Sequence, residues 1–145
     1  MWTEHRFISF DEMPIFYHYR ATKEPLKGIV LIVHGMGEHG ARSQAFGDYL
    51  AEMGLISIVP DLRGFGRSGG KKACVRRFTD FYKDLSALQA WVLRQHKDIP
   101  FFLLGHSFGG LLSSSCLAFC RHPKVSGLIL SSPIFGVAVP VPLWR

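Results

Sequence analysis

Apolar positions along the chain fall into two periods. Residues 28–33 form an unbroken run of Gly, Ile, Val, Leu, Ile and Val, as a strand buried on both faces requires. Residues 55–59, 101–104 and 125–130 repeat that character, with Pro100 opening the third run. Between these strands the period lengthens. Ala45, Phe46, Tyr49, Leu50 and Met53 recur at helical spacing and Gly54 stops the helix. Phe81, Leu85, Leu88 and Val92 mark one face of a helix over 79–95, and residues 111–119 predict another. At the start, residues 6–10 and 15–20 flank Asp11-Glu12-Met13-Pro14 as an antiparallel hairpin. Strand and helix then alternate, which predicts a mostly parallel sheet with right-handed crossovers and functional loops at the strands' C-terminal ends.

Candidate chemistry lies on that edge. Gly105-His106-Ser107-Phe108-Gly109-Gly110 joins an apolar strand to a helix through a G-x-S-x-G turn, the context that such a turn needs to serve as a nucleophile elbow. So sharp a reversal leaves little room for a β-carbon at Gly105 or Gly109. Ser107 is expected at the tip, facing the N-terminus of the next helix, where unpaired N–H groups favour an anion. Upstream, the 28–33 strand leaves through His34-Gly35-Met36-Gly37-Glu38-His39-Gly40. Two backbone donors, on Phe108 and Met36, would form an oxyanion hole, each worth about 2.7–4 kcal/mol to a transition state.

These motifs, with Asp61-Leu62-Arg63-Gly64-Phe65-Gly66-Arg67-Ser68-Gly69-Gly70 between them, resemble the α/β-hydrolase superfamily. Within it, they look like the monoacylglycerol lipase, lysophospholipase and serine aminopeptidase-like group. The resemblance begins near Phe7 and implies an α/β fold: the N-terminal portion of an α/β-hydrolase, a hairpin then a mostly parallel sheet flanked by helices. Residues 1–133 would be a partial core without the last strands, and 134–145 the start of a cap over an acyl pocket. It further implies Ser107 as nucleophile, Met36 and Phe108 as oxyanion donors, and His34, Gly35, Gly37, Gly105 and Gly109 as loop support. Arg42 is followed by Ser43, where the group commonly has Arg-Tyr.

In this superfamily an acid and then a histidine follow the serine. After Ser107 the chain has no Asp or Glu, and its one later histidine is His122, expected in the loop leaving the helix. The triad acid and base are therefore not present in this chain, which is expected to be inactive alone. His34 and His39 flank the oxyanion loop and are expected to orient it. His106 would turn away from Ser107 and hydrogen-bond or pack beside the elbow; His5, His18 and His96 read as solvated or capping residues. The gene beyond the codon for Arg145 is expected to encode the missing half, with a cap, an Asp and a loop His.

The implied reaction is hydrolysis of carboxylic esters, monoacylglycerol or lysophospholipid-like. The alternatives are a non-catalytic remnant of the fold and an acyltransferase or peptidase on the same scaffold. No cofactor and no metal is implied. Net charge is +6. Arg63, Arg67, Lys71, Lys72, Arg76 and Arg77 cluster in one loop region, which could meet an anionic membrane surface or stay a solvated loop; no nucleic-acid motif is present. Cys74, Cys116 and Cys120 read as buried small hydrophobes in a reducing compartment. The first residues carry no secretory pattern, so a cytoplasmic protein, peripheral on a membrane, is expected. The last strand would be a bare edge prone to self-association.

Overall fold

A computed structural model describes residues 1–120 and 125–136. Six strands form one sheet in the order β1-β2-β4-β3-β5-β6. They are β1 (Trp2–Ile8), β2 (Pro14–Arg20), β3 (Gly28–Val33), β4 (Leu55–Pro60), β5 (Phe101–His106) and β6 (Gly127–Ser131). The helices are α1 (Gln44–Glu52), α2 (Phe78–Gln95) and α3 (Phe108–Phe119), with a short 3₁₀ turn, Gly40–Ser43, before α1. β1 and β2 pair antiparallel, as do β2 and β4; β3, β4, β5 and β6 run parallel. This is the α/β-hydrolase architecture.

The alternation within β3 builds both layers. Ile29 and Leu31 pack with Leu88 and Val92 of α2, while Val30 and Ile32 pack with Leu50 of α1. Val33, at the strand's end, joins Phe81, Leu85, Leu112 and Cys116 where α2 meets α3. The predicted α2 face is the buried one: Phe81, Leu85, Leu88 and Val92 are all nearly inaccessible.

The predicted α1 face is not. Phe46, Tyr49 and Met53 are about half exposed; of the predicted set Leu50 is buried, together with Gly47 and Ala51. The reason lies in Trp2, whose indole occupies the space beside Gly47, where a β-carbon would stand 2.5 Å from the ring. Trp2 Nε1–H also donates to Asp48 Oδ1 at 3.1 Å. The hairpin starts earlier than expected and sets this contact.

β3 lies between β4 and β5, so the chain leaves the centre of the sheet in one direction after β3 and in the other before β5. Crevices at the C-terminal ends of such central strands are where ligands of open α/β sheets bind. The 133/134 division falls at Pro133, beside Gly110. His122 and the part of the cap segment beyond residue 136 lie outside the described residues.

β6 pairs only with β5 among the described residues, and its Ile129 and Leu130 are 47% and 38% exposed. Unpaired apolar edges template association. We expect the wild-type chain to self-associate in sedimentation velocity and Ile129→Lys to shift it toward monomer. A wild-type chain that stays monodisperse at high concentration would contradict this.

Candidate active site

Ser107 stands between β5 and α3 with φ of 53° and ψ of −117°. Positive φ is costly for a residue with a β-carbon, and such strain persists only where the surroundings over-determine it. Here they do. The Ser107 N–H donates to Ser131 O at 2.9 Å, carrying the β5–β6 ladder one residue further, while Ser107 O accepts from Gly110 N–H at 3.0 Å as α3 begins. A β-carbon on Gly105 would lie 2.6 Å from Gly110 Cα, and one on Gly109 2.6 Å from the His34 carbonyl. The two glycines thus let α3 abut both its own strand and the end of β3.

That contact brings the loop of residues 34–40 to the serine. A β-carbon placed on Gly35 would sit 3.4 Å from Ser107 Cβ. Gly37 has φ of +74° and reverses the loop, leaving Met36 at its exposed crest. Phe108 follows the serine with its ring 5.5 Å from Phe81 and 6.2 Å from Phe78. Among the described residues neither the Met36 nor the Phe108 N–H meets a backbone acceptor. The two donors assigned from sequence therefore lie in segments packed on either side of Ser107.

Glu38 braces this loop, a role its place in the sequence did not reveal. Its Oε2 accepts the Gly35 N–H at 2.9 Å, its own N–H donates to Gly35 O at 3.3 Å, and Arg42 Nε lies 3.3 Å from its Oε1. Asp61 braces the neighbouring loop, Oδ1 accepting Gly40 N–H at 2.6 Å and Oδ2 accepting Arg67 N–H at 2.7 Å. Asp61 also lies near the His18 and His34 rings and favours their charged forms, against the larger effect of burial.

His34 is 2% exposed and uses both ring nitrogens. The Leu62 N–H donates to Nε2 at 2.9 Å, so the proton sits on Nδ1, which donates to Gly35 O at 2.7 Å. Burial pushes its pKa down. His106 is exposed, and its Nδ1 lies 3.3 Å from Ser131 Oγ, beside the elbow. His96 caps the end of α2. His5 is exposed and stacks on Tyr17. His18 departs from expectation: it is 5% exposed, edge-on to Phe16 at 5.0 Å, with Trp2 at 6.5 Å. Its strand position turns it under Gly40, and burial lowers its pKa too.

His18 and His34 give a pH dependence of defined sign. Both fold as neutral rings with lowered pKa, so the unfolded state binds protons first on acidification. Their stabilisation is fully present above the ordinary histidine pKa of about 6.5 and is lost as pH falls from there through the folded values. Chemical denaturation followed from neutral pH downward should show falling stability. A rise would contradict the neutral assignment.

Two further sequence expectations change. Cys116 is buried, with its thiol pKa pushed up by burial, but Cys74 is exposed in the loop before α2 and Cys120 is half-buried. Arg63 does not belong to the surface basic cluster. Its guanidinium is buried against Asp84, with Nε–Oδ2 and Nη2–Oδ1 both 2.6 Å, and it reaches Asp11 at 3.0 Å. Arg67 pairs with Glu4 at 2.7 Å and lies over the Phe16 ring. Lys71, Lys72, Arg76 and Arg77, like Arg67, are exposed.

The sheet that carries these loops has counterparts among known proteins. Residues 24–145 match the serine aminopeptidase S33 family of hydrolases. The chain belongs to that family. It is 32% identical over 132 residues to a monoacylglycerol lipase of Mycolicibacterium smegmatis, an alignment covering 90% of this chain and 46% of that protein. With rat monoglyceride lipase it shares 32% identity over 128 residues, 88% of this chain and 42% of the relative. Among solved structures, a soluble variant of the Saccharomyces cerevisiae monoglyceride lipase bound to a substrate analogue superposes with a TM-score of 0.80. Identity there is 27%, with 92% of this chain and 45% of that one covered. A carboxyl esterase from Bacillus coagulans, in complex with glycerol, gives a TM-score of 0.78 at 27% identity, covering 89% and 43%. The chain spans less than half the length of these relatives.

Proposed function

We propose that this chain carries the nucleophile half of a serine ester hydrolase acting on monoacylglycerol or lysophospholipid-like substrates. The observation that carries the reading is Ser107 at positive φ with Gly35 against its β-carbon. Ser107 Oγ attacks the acyl carbonyl, and the tetrahedral oxyanion is held by the Met36 and Phe108 N–H groups. The N-terminus of α3 adds favourable potential at the same point. Glu38 and His34 keep the loop in register.

Removal of the serine proton and protonation of the leaving alcohol require a base and an acid to orient it. Among the described residues no imidazole bonds to Ser107, so the reading takes these groups, and most of a cap, from the part of the relatives' length that this chain does not span. The same reading has the protein act in the cytoplasm. Among the described residues no helix is long and apolar enough to cross a membrane. Lys71, Lys72, Arg76 and Arg77 would favour contact with an anionic lipid surface.

The test uses a polypeptide extended by the downstream reading frame. Monooctanoylglycerol, a lysophospholipid and an aminoacyl anilide are compared by kcat/KM. Ester turnover exceeding anilide turnover, and lost in Ser107→Ala, supports the reading. Preferential anilide cleavage would assign a peptidase on the same scaffold. A downstream frame that encodes no strand–Asp and strand–His segments would leave a non-catalytic remnant.

A further inference from the structure

His34 stands where β3 ends, and its buried ring is clamped from the loop after β4. The Leu62 N–H donates to Nε2 at 2.9 Å and the Phe65 ring packs edge-on at 6.1 Å. Turning the ring would strand a buried backbone donor, which is costly. With Nε2 occupied as an acceptor, Nδ1 carries the proton and donates to Gly35 O at 2.7 Å. Burial favours the neutral ring and so preserves that division.

What this bond holds is the peptide group joining Gly35 to Met36. Its carbonyl accepts twice, from His34 Nδ1–H and from the Glu38 N–H at 3.3 Å. A trans peptide is planar, with its N–H opposite its C=O. Fixing the Gly35 oxygen toward His34 therefore fixes the Met36 N–H in the opposite direction, where among the described residues it meets no backbone acceptor. Gly35 has no side chain to set that orientation by itself, and a β-carbon there would crowd Glu38 Oε2 at 3.0 Å. A carbonyl that already accepts also polarises its own amide, strengthening the N–H as a donor by roughly 10–30% per bond.

We propose that His34 is a positioning residue for the oxyanion: its Nδ1–H sets and polarises the Gly35–Met36 peptide so that the Met36 N–H faces the anion formed at Ser107. The inference rests on the reading of Ser107 as nucleophile, and it divides two tasks within one ring. The bond to Leu62 serves the fold; the bond to Gly35 serves the reaction.

Two substitutions separate these tasks. His34→Asn puts an amide N–H close to the place of Nδ1–H and leaves Leu62 without its acceptor. His34→Gln extends a carbonyl oxygen toward Leu62 and leaves Gly35 O without its side-chain donor. The full 145-residue chain and both variants are labelled with a fluorophosphonate, whose phosphoryl oxygen stands in for the oxyanion, and denaturant midpoints are measured in parallel. Both variants should be less stable than the wild type. His34→Asn should label within a few-fold of the wild-type rate and His34→Gln at least about tenfold more slowly, since losing one oxyanion donor costs about 10²–10³ in rate and misaiming it costs part of that. A second measurement needs no variant to fold. In the phosphonylated wild-type chain the Met36 amide proton should move downfield, and long-range proton–nitrogen spectra should find the His34 proton on Nδ1. Labelling rates that simply follow the midpoints, a Met36 amide unmoved in the adduct, or a proton on Nε2 would overturn the proposal. A wild-type chain with no adduct at Ser107 would overturn the nucleophile reading and this inference with it, whereas an adduct at Ser107 that forms as fast in His34→Gln would reject the role of His34 alone.

Discussion

Incubated with a fluorophosphonate, the 145-residue chain should label at Ser107 slowly, and the Ser107→Ala chain should not label at all. The proposed nucleophile and the segments of the two proposed oxyanion donors lie side by side, but among the described residues no imidazole is hydrogen-bonded to the serine. In serine hydrolases, losing members of a triad lowers turnover by about 10⁴–10⁶-fold, while the oxyanion hole and binding retain a small residue of catalysis. The chain should therefore hydrolyse an activated ester only slightly above background, and Ser107→Ala should remove that increment. Mass spectrometry of the labelled peptide locates the adduct. Labelling at the rate of an intact serine hydrolase would show that a base is already in place and that the half-site reading is wrong.

The sharp turn at Ser107 was legible in the sequence because its constraint is local. Gly105 and Gly109 are set four residues apart by one turn, and the same two positions crowd Gly110 and His34 in the structure. The buried strands were legible for a similar reason: a run such as residues 28–33 admits little except a two-sided interior. Boundaries drifted where ends are decided by partners. β1 extends from Trp2 because it pairs with β2 as far as Arg20, and α3 begins at Phe108 because the helix starts directly at the strained serine.

What the sequence hid were contacts between segments far apart. Glu38 and Asp61 sit inside motifs, yet their roles depend on which backbone N–H groups come within reach after the loops fold. The inward face of α1 could not be read from Phe46 and Tyr49, since the contact that orients the helix comes from Trp2. Charge was misleading in the same way. Arg63 lies in a basic stretch, and only the approach of the β1–β2 turn and of α2 converts it from a surface cation into the centre of an ion-pair cluster.

That cluster carries the largest expected effect on stability. Arg63 and Asp84 have side chains 6% and 5% exposed. Asp84 Oδ1 also accepts the Ser9 hydroxyl at 2.5 Å, and Asp80 lies 3.9 Å from Arg63. Burial pushes the Asp84 carboxyl up against the opposing hydrogen bonds from Arg63 and Ser9. The Arg63 hydrogen bond instead holds the more open Asp11 below the usual carboxylate range. Arg63→Met would leave Asp84 buried without its counterion, and breaking such a pair from one side typically costs about 3–5 kcal/mol. The loss should depend on pH. With its pKa raised further, Asp84 would keep its proton in the fold, so the variant's stability is fully present below the unfolded carboxylate value of about 3.9 and is lost as pH rises through the folded one. Denaturant midpoints should show a deficit that is large at neutral pH and narrows in acid. Adding Asp84→Asn removes the charge while an amide can still meet Ser9, so the double variant should recover much of the loss. A deficit independent of pH, or no recovery in the double variant, would mean that Arg63 stabilises the fold through packing of its stem and not through the buried charge it neutralises.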